Sequence, residues 1–432
     1  MSGDALRLAL FNALLLIAGS GVTGALGWWR GHSLVRVLGL SYLAGVAAFG
    51  VLAQLLYVCG ASLSTWQVVA VCALLALGGL GATRGRPLQP ATRTRWRLAG
   101  VIVAGMLALL AVDLWFQPLW AYDAWTFWTP KAHGLWALGL DSRWFTQANL
   151  TSPDYPILLP AVEAAGFHFT GYEQSLLDLQ SLLFFAAFLR AVYELAHEHG
   201  DAAVLWAVLA MLAVAPSVAD QLAAAEADIP LAVLFATAGL CGARWLVTGE
   251  RRAIALATVL GAGAAATKVE GTAFVVALFL VLALLARDRR VPVLAGAVAL
   301  AVGILPWRIW LSFEHVHNQA SAARVTGLSF LLHHLARVPE AAAYMLWKAL
   351  DPRAWLLVVP LFVAVCLFAL RRADRLLVVF ACATAILAFG SLVFAYWSTR
   401  LGLHYQLTTS ARRVVTGVVF FCAATAPLVA RA

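Results

Sequence analysis

Apolar blocks of about 20 residues recur along the chain, and they constrain its fold more than any other sequence feature. Residues 98–118 contain one charged side chain, and residues 376–397 contain none. A helix needs about 20 mostly apolar residues to cross the hydrocarbon core of a bilayer. Only 12% of the 432 residues are charged, whereas soluble domains carry roughly 25%. The sequence therefore predicts an all-α polytopic membrane protein.

The lengths of the blocks predict about thirteen transmembrane helices. The predicted spans are residues 5–26, 37–58, 66–82, 98–118, 173–195, 202–218, 228–247, 253–266, 272–286, 291–311, 354–370, 376–397 and 411–430. We divide the chain into residues 1–97, which hold three helices and a basic loop, and residues 98–432, which form a transmembrane module. That module contains two long loops, at about 117–172 and 312–353.

Arginine-rich connections predict the orientation. They contain Arg84, Arg86, Arg93, Arg95 and Arg97; Arg244, Arg251 and Arg252; Arg287, Arg289 and Arg290; and Arg371, Arg372 and Arg375. All four connections fall on one side when the spans alternate, and such residues mark the cytoplasmic side. We therefore expect both long loops on the periplasmic side of a cell inner membrane. Because these residues anchor short loops, the net charge of +9 does not predict a nucleic-acid partner.

The first long loop is predicted to contain helices that lie in the membrane interface. It begins with Tyr122-Asp123-Ala124-Trp125, and Pro130 is expected to kink or restart the helix that follows. One face of that helix is predicted to carry Trp125, Trp128, Leu135 and Trp136. These side chains form an aromatic belt at the membrane surface, or some of them also stack on a sugar ring.

Carboxylates cluster at predicted helix ends on the periplasmic side. They are Asp123, Asp154, Glu226 and Asp228. Asp123 is either a helix N-cap or a functional acid, and Asp154, between two prolines, is either a turn residue or a functional acid. Because an ionised carboxylate near hydrocarbon is costly and usually faces a polar cavity, the pattern predicts a carboxylate-lined pocket.

Several cations lie on the side where the orientation rule does not expect them. They are Lys268, Arg400, Arg412 and Arg413. They reach toward lipid headgroups, or they hold a phosphate at the membrane surface. Thr409-Ser410 would cap the last helix and add amide donors for an anion. Such a pocket suits group transfer from a phospholipid donor, because a carboxylate can take a proton from an acceptor hydroxyl while cations stabilise the departing phosphate.

With these motifs the chain resembles the GT-C superfamily of polyprenyl-phosphate-sugar-dependent glycosyltransferases. It is most similar to members related to protein O-mannosyltransferases, lipid A aminoarabinose transferases and lipopolysaccharide galacturonosyltransferases. The matching pieces are Tyr122-Asp123-Ala124-Trp125 with Lys131-Ala132, Pro153-Asp154-Tyr155-Pro156, Ala227-Asp228-Ile229-Pro230-Leu231-Ala232, Thr267-Lys268-Val269-Glu270-Gly271, Pro306-Trp307 and the segment from His404 to Arg413. Together they extend from about Leu98 to the C-terminus.

The resemblance implies a GT-C-type bundle that transfers a sugar from a polyprenyl-phosphate donor to a glycan, lipid or protein acceptor, with inversion. It implies that Asp123 is a general base or metal ligand, and that Asp228 with Glu226 forms a second acidic site. A divalent cation, Mg²⁺ or Mn²⁺, is the cofactor to test. Lys268 with Arg412 or Arg413 would contact the lipid phosphate. The expected substrate contacts are Tyr122, Trp125, Lys131, Tyr155, Glu270, His404 and Tyr405.

Two other functions stay open at this point. A transporter or flippase of a lipid-linked sugar would commonly show internal repeats and ionisable residues near the bilayer midplane. No repeat is visible, and Asp113 and Asp178 are the exceptions to an otherwise peripheral placement of ionisable groups. The third function is that of a scaffold or ligase/polymerase-type partner in envelope polysaccharide assembly. A ligase would use a lipid pyrophosphate that carries a whole glycan.

Overall fold

A computed structural model describes residues 2–29, 34–83, 98–147, 150, 152–316, 327–371, 375–399 and 401–431. The predicted phosphate ligand Arg400 lies outside these residues, and so does the basic loop 84–97, on which part of the predicted orientation rests. No β-strand occurs within the described ranges. The predicted all-α class is therefore confirmed.

The described ranges form 22 α-helices. The first eleven are α1 Ser2–Ala25, α2 Leu38–Val58, α3 Thr65–Thr83, α4 Leu98–Phe116, α5 Thr129–Leu138, α6 Ser142–Gln147, α7 Leu158–Thr170, α8 Ser175–Ala196, α9 Ala202–Val214, α10 Pro216–Leu222 and α11 Asp228–Thr248. The others are α12 Arg251–Thr267, α13 Val269–Leu285, α14 Arg290–Gly303, α15 Leu305–Phe313, α16 Leu328–His333, α17 Arg337–Leu350, α18 Pro352–Trp355, α19 Val358–Ala369, α20 Leu376–Trp397, α21 Leu403–Val414 and α22 Thr416–Arg431. A 3₁₀ turn, Leu34–Val37, precedes α2, and a π-helical turn, Ala124–Trp128, precedes α5.

Eight helical segments in the described part of the chain are long and apolar enough to cross a membrane. They are Gly3–Ala25, Leu38–Val58, Leu98–Phe116, Leu176–Ala196, Asp228–Thr248, Arg290–Phe313, Leu376–Trp397 and Leu403–Arg431. The pair α9 and α10, bent by 52°, makes a ninth if it is one span. The remaining predicted spans coincide with the shorter helices α3, α12, α13 and α19. The chain is thus a multi-pass helical membrane protein, and a count of thirteen spans stays a prediction.

Local sequence signals explain several helix boundaries. Asp201 caps α9, because its carboxylate accepts hydrogen bonds from the N–H groups of Ala203 and Val204 at 2.9 and 3.0 Å. Pro216 opens α10 and accompanies the 52° bend after α9. Gly249 follows α11 with a φ of +67°, a left-handed conformation that glycine adopts without a steric penalty.

Small residues let the first two helices pack backbone against backbone. A Cβ atom on Gly19 would lie 1.7 Å from the Ser41 carbonyl oxygen, and one on Gly45 would lie 1.9 Å from that of Leu15. Neither contact is sterically possible, so α1 and α2 require glycine at both positions. This close approach is a common way for membrane helices to associate.

Buried hydrogen bonds tie these N-terminal helices to the rest of the bundle. The carboxylate of Glu194 on α8 accepts from the N–H groups of Gly39 and Leu40 at the start of α2, both at 3.0 Å. The side-chain amide of Gln54 donates to the Gly303 carbonyl at 2.7 Å. The division at residue 97 stays a prediction about the sequence, while helices on both sides of it share one buried core.

Candidate functional site

The guanidinium of Arg413 joins two carboxylates that are far apart in the sequence. Its Nη2 atom lies 2.6 Å from Oδ2 of Asp123, and its Nη1 atom donates to Oε2 of Glu226. Glu226 is 4% exposed, whereas the side chains of Arg413 and Asp123 are 24% and 28% exposed. The pair with Glu226 is therefore buried, and the pair with Asp123 is only partly covered.

The ammonium of Lys268 forms a second, neighbouring ion pair. Lys268 has an extended backbone and separates helix α12 from helix α13. Its Nζ atom lies 2.7 Å from Oδ1 of Asp228 and 3.9 Å from Oε1 of Glu270. Burial favours the neutral amine, but the carboxylates of Asp228 and Glu270 outweigh that effect and raise the pKa of Lys268. Lys268 therefore stays charged and holds both carboxylates.

Together these residues form an ion cluster, which we define as Asp123, Glu226, Asp228, Lys268, Glu270 and Arg413. Its four carboxylates outnumber its two cations, so the cluster has a formal excess of negative charge. Burial raises the pKa of Glu226 to about 7, although the charge of Arg413 opposes this shift. Oδ2 of Asp228 and Oε2 of Glu270 are buried and have no hydrogen-bond partner among the described residues. Two carboxylate oxygens of the cluster therefore lack a hydrogen-bond donor within the described ranges.

The helix ends explain how the cluster assembles. Asp123 precedes the π-helical turn and has helical backbone angles, but its side chain makes no capping hydrogen bond. The interpretation of Asp123 as an N-cap is therefore wrong, because its carboxylate instead accepts from Arg413. Asp228 lies in the first turn of α11, and Arg413 lies in the last turn of α21.

A cavity of about 580 Å³ opens beside the cluster. Asp123, Glu226 and Arg413 contribute to its wall, whereas Asp228 and Lys268 do not line it. Three aromatic side chains of the lining are exposed. They are Trp120, Tyr122 and Tyr405. A cavity of this volume is in the range of small-molecule sites, and it combines aromatic faces with charged groups.

Arg412 lies at the same cavity as Arg413 but has a different partner. Its Nη2 atom is 2.8 Å from Oδ2 of Asp220, and these two side chains are 42% and 56% exposed. The Nε atoms of Arg412 and Arg413 are buried and have no acceptor among the described residues. These two N–H groups are therefore buried donors without a partner within the described ranges.

Lys131, predicted to contact substrate, has a structural role in this fold. Its side chain is buried, and its ammonium donates to the carbonyls of Ser152, Pro153 and Tyr155 at 2.7, 3.3 and 3.0 Å. Burial lowers the pKa of Lys131 to about 7, against the charge of Asp154. Lys131 does not line the cavity; it holds the turn before α7.

The predicted acid Asp154 and contact Tyr155 belong to this same turn. The main-chain carbonyl of Asp154 accepts from the indole of Trp307 at 2.9 Å. The ring of Tyr155 stacks on Phe127, with centroids 5.6 Å apart. Neither residue lines the cavity, but the hydroxyl of Tyr155 interacts electrostatically with Lys268. The Tyr155 side chain is therefore close enough to Lys268 to affect its charge.

Three details of the aromatic and C-terminal segments differ from the predictions. Trp128 and Leu135 are buried, whereas Trp125 is about half exposed and its indole donates to the Leu119 carbonyl at 2.6 Å, so the side chains predicted to share one helical face differ in their exposure. His404 is exposed and does not line the cavity. Ser410 lies inside α21 and its hydroxyl donates to the Gln406 carbonyl at 2.8 Å, so the predicted Thr409-Ser410 cap is wrong.

Sequence reasoning missed two side chains beside the cluster. Asp220 pairs with Arg412, and its position six residues before Glu226 was a usable signal. The hydroxyl of Tyr396 lies 2.7 Å from that of Ser410 and interacts electrostatically with Glu270, Lys268 and Arg413. A tyrosine at the end of an otherwise apolar span was a second signal in the sequence.

The described residues do not provide a set of ligands for the predicted divalent cation. Within the described ranges no group of three or more His, Cys, Asp and Glu side chains is arranged to hold a metal ion. The acidic residues of the ion cluster are instead paired with Arg413 and Lys268. We therefore derive no step through a metal ion.

The described fold and cavity define a multi-pass helical membrane protein with an ion-paired site at one end of its bundle. The chain matches no protein-family model, no curated protein and no solved structure. The resemblance to GT-C glycosyltransferases stays a prediction, and function has to be argued from the site.

Proposed function

We propose that the chain is a membrane glycosyltransferase that moves a sugar from a polyprenyl-phosphate donor to a glycan, lipid or protein acceptor. The observation that carries this proposal is the Arg413 guanidinium, which joins Asp123 and Glu226 at the wall of the 580 Å³ cavity. In that arrangement the proposed proton acceptor, Asp123, is in direct contact with the proposed phosphate-binding group, Arg413. The cavity would face the periplasm of a cell inner membrane.

Asp123 is the proposed general base. Its carboxylate is partly exposed at the cavity wall, so an acceptor hydroxyl can reach it. As Asp123 takes the hydroxyl proton, the acceptor oxygen attacks the anomeric carbon from the face opposite the phosphate. The bond between that carbon and the phosphate oxygen breaks, and its electron pair leaves with the lipid phosphate. Such direct displacement inverts the anomeric centre.

The two arginines are the proposed phosphate ligands. Both side chains line the cavity, and a lipid phosphate supplies strong acceptors for guanidinium N–H groups. Lys268 does not line the cavity, and it serves mainly to hold Asp228 and Glu270. The exposed rings of Trp120, Tyr122 and Tyr405 provide faces on which a sugar can stack.

The test is sugar transfer by the full chain in lipid nanodiscs. The donor is a polyprenyl monophosphate that carries a radiolabelled sugar, and a lipid extract of the source cells supplies acceptors. Asp123→Asn removes the base and is expected to lower the transfer rate by about 10²- to 10⁴-fold. The matched control is Asp141→Asn, which changes a carboxylate paired with Arg143 at 3.0 Å on the exposed part of the same loop.

Three outcomes would contradict the proposal. Normal transfer by a folded Asp123→Asn variant rejects the assigned base. Transfer only from a lipid pyrophosphate that carries a whole glycan indicates a ligase. Movement of labelled lipid-linked sugar across the bilayer of a proteoliposome, without product, indicates a transporter or flippase.

A further inference from the structure

One face of helix α21 forms a wall of the 580 Å³ cavity. Four residues at helical spacing lie on this face and line the cavity. They are Tyr405, Thr408, Thr409 and Arg412. The opposite face of α21 is apolar and buried. Because a helix rises 1.5 Å per residue, Tyr405 lies about 12 Å along the α21 axis from Arg413 of the ion cluster. The cavity wall therefore continues well beyond the ion cluster.

Helix α10 and the segment before the π-helical turn form further walls. Three residues of one α10 face line the cavity. They are Ser217, Asp220 and Gln221. Trp120 and Tyr122 line it from the segment before the π-helical turn, and both rings are exposed, as is that of Tyr405. The exposed carboxylate of Asp220 is held by Arg412 on α21. One carboxylate and three aromatic rings outside the ion cluster are therefore accessible in the cavity.

The lining of the cavity is mostly polar. Of the seventeen described residues that line it, three have wholly apolar side chains. The hydroxyl protons of Thr408 and Thr409 are used within α21, but their oxygen atoms can still accept a hydrogen bond. The side chain of Gln406 adds amide donors and an acceptor. Small-molecule sites are usually lined by mainly hydrophobic side chains, so this lining indicates a ligand with many hydroxyl groups.

These properties disfavour a peptide or an acyl chain as the occupant. An extended peptide binds by pairing its main chain with a free sheet edge, and the described ranges contain no β-strand. A peptide helix or an acyl chain requires an apolar groove, which this lining does not provide. A saccharide matches both parts of the lining, because its C–H groups pack on the negative faces of aromatic rings and its hydroxyls hydrogen-bond to carboxylates and amides.

We propose that the cavity binds an acceptor glycan of more than one sugar unit, which extends from the ion cluster toward Tyr405. This inference rests on the proposed function and narrows its acceptor to a glycan. The donor contributes one sugar ring beside Asp123 and Arg413, and a wall of about 12 Å is longer than one ring. The residues that bind the further units form the acceptor groove, which we define as Trp120, Tyr122, Asp220, Tyr405 and Gln406. Its rings stack on the glycan, while Asp220 and Gln406 select the arrangement of its hydroxyls.

The test measures saccharide binding to the full chain in nanodiscs without any donor. The probes are short oligosaccharides, released by mild acid from the envelope glycans of the source cells and labelled at the reducing end, and monosaccharides from the same hydrolysate. Fluorescence anisotropy gives the Kd of each. We expect the oligosaccharides to bind at least about 10-fold more tightly than the monosaccharides. Asp220→Asn should weaken oligosaccharide binding about 10-fold, because hydrogen bonds to a charged group are the stronger ones. Trp120→Ala should weaken it as well.

The matched controls are Asp141→Asn and Trp66→Ala. Asp141 also pairs with an arginine, Trp66 is also exposed, and neither residue lines the cavity. Both variants should bind the oligosaccharides like the wild-type chain.

Four results would overturn the inference. The wild-type chain binds no saccharide, or it binds monosaccharides as tightly as oligosaccharides. Asp220→Asn and Trp120→Ala both retain full binding. The polyprenyl-phosphate sugar displaces the oligosaccharide, which assigns the groove to the donor. In each case, sugar transfer to an acceptor without a glycan would leave the proposed function standing. Oligosaccharide binding that both variants weaken, together with a complete lack of transfer, would instead support the groove and reject the glycosyltransferase.

Discussion

Replacing Arg413 with methionine tests the ion cluster most directly. The change removes the guanidinium that pairs with Asp123 and Glu226 and leaves two carboxylates beside each other. Removing one partner of a buried pair costs about 3–5 kcal/mol, whereas a solvent-exposed pair contributes about 1 kcal/mol or less. Glu226 is buried and Asp123 is partly exposed. Because Glu226 can take up a proton and limit the repulsion, we expect a loss of about 3 kcal/mol.

This loss translates into a measurable shift of the unfolding midpoint. Unfolding entropy is roughly 2.1 cal/mol/K per residue, so a loss of about 3 kcal/mol in a chain of 432 residues lowers the midpoint by about 3 °C. The measurement is thermal unfolding in nanodiscs at about pH 8.5 and about pH 5.5. The charge of Arg413 opposes the rise in the pKa of Glu226, so without Arg413 that pKa rises further and the variant recovers stability as the pH falls through it.

Two further variants make this prediction specific. Arg143→Met breaks an exposed ion pair with Asp141 and should leave the midpoint unchanged. Arg413→Met combined with Glu226→Gln should regain part of the lost stability, because it also removes the buried carboxylate. The reasoning is refuted if the deficit of Arg413→Met is the same at both pH values and the effects of the two substitutions add.

Two other predictions concern single buried groups. Lys131→Met leaves three carbonyls of the turn before α7 without their donor, and it should lower the free energy of unfolding by about 3 kcal/mol. Lys348 on α17 is half-buried, and its ammonium lies 5.3 and 4.2 Å from the ring centroids of Tyr344 and Trp347; Lys348→Met should therefore cost about 1 kcal/mol or less. Similar losses for the two variants in chemical denaturation would contradict the buried role of Lys131. Glu226 has a folded-state pKa of about 7, above its ordinary value of 4.5, so its contribution to stability is fully present below about pH 4.5 and is lost as the pH rises through about 7. Glu226→Gln should remove this part of the pH profile, and a profile identical to that of the wild type would reject the assignment.

The sequence predicts the helical class and much of the ion cluster for one physical reason. Charged groups are so costly near hydrocarbon that each one at a helix end requires a partner or a polar cavity. Asp123, Asp228 and Lys268 stand out against their apolar surroundings, and the structure places them in one cluster. The pairing itself was not predictable, because Asp123 and Arg413 are 290 positions apart.

Burial of a charged residue in an extramembrane loop was harder to predict. Lys131 follows several aromatic residues in a segment expected to lie at the membrane interface, where a lysine usually reaches water. The structure buries it because the turn at residues 152–155 directs three carbonyls toward its ammonium. That arrangement depends on the path of a turn 21 to 24 residues further along the chain, and no periodicity in the sequence reports it.

Arg412 and Arg413 have different partners, and the position of a helix boundary determines the surroundings of both side chains. A final span that begins at residue 411 would put both arginines in its first turn, next to amide donors that attract an anion. In the structure α21 ends at Val414 and α22 begins at Thr416, so both arginines lie in the last turn of the preceding helix. Cations stabilise that end of a helix. Successive residues on a helix point about 100° apart, so Arg412 pairs with Asp220 while Arg413 turns toward Asp123 and Glu226. The proposed binding of a phosphate at this cavity would therefore depend on the guanidinium groups themselves, and not on the amide donors that the sequence suggested.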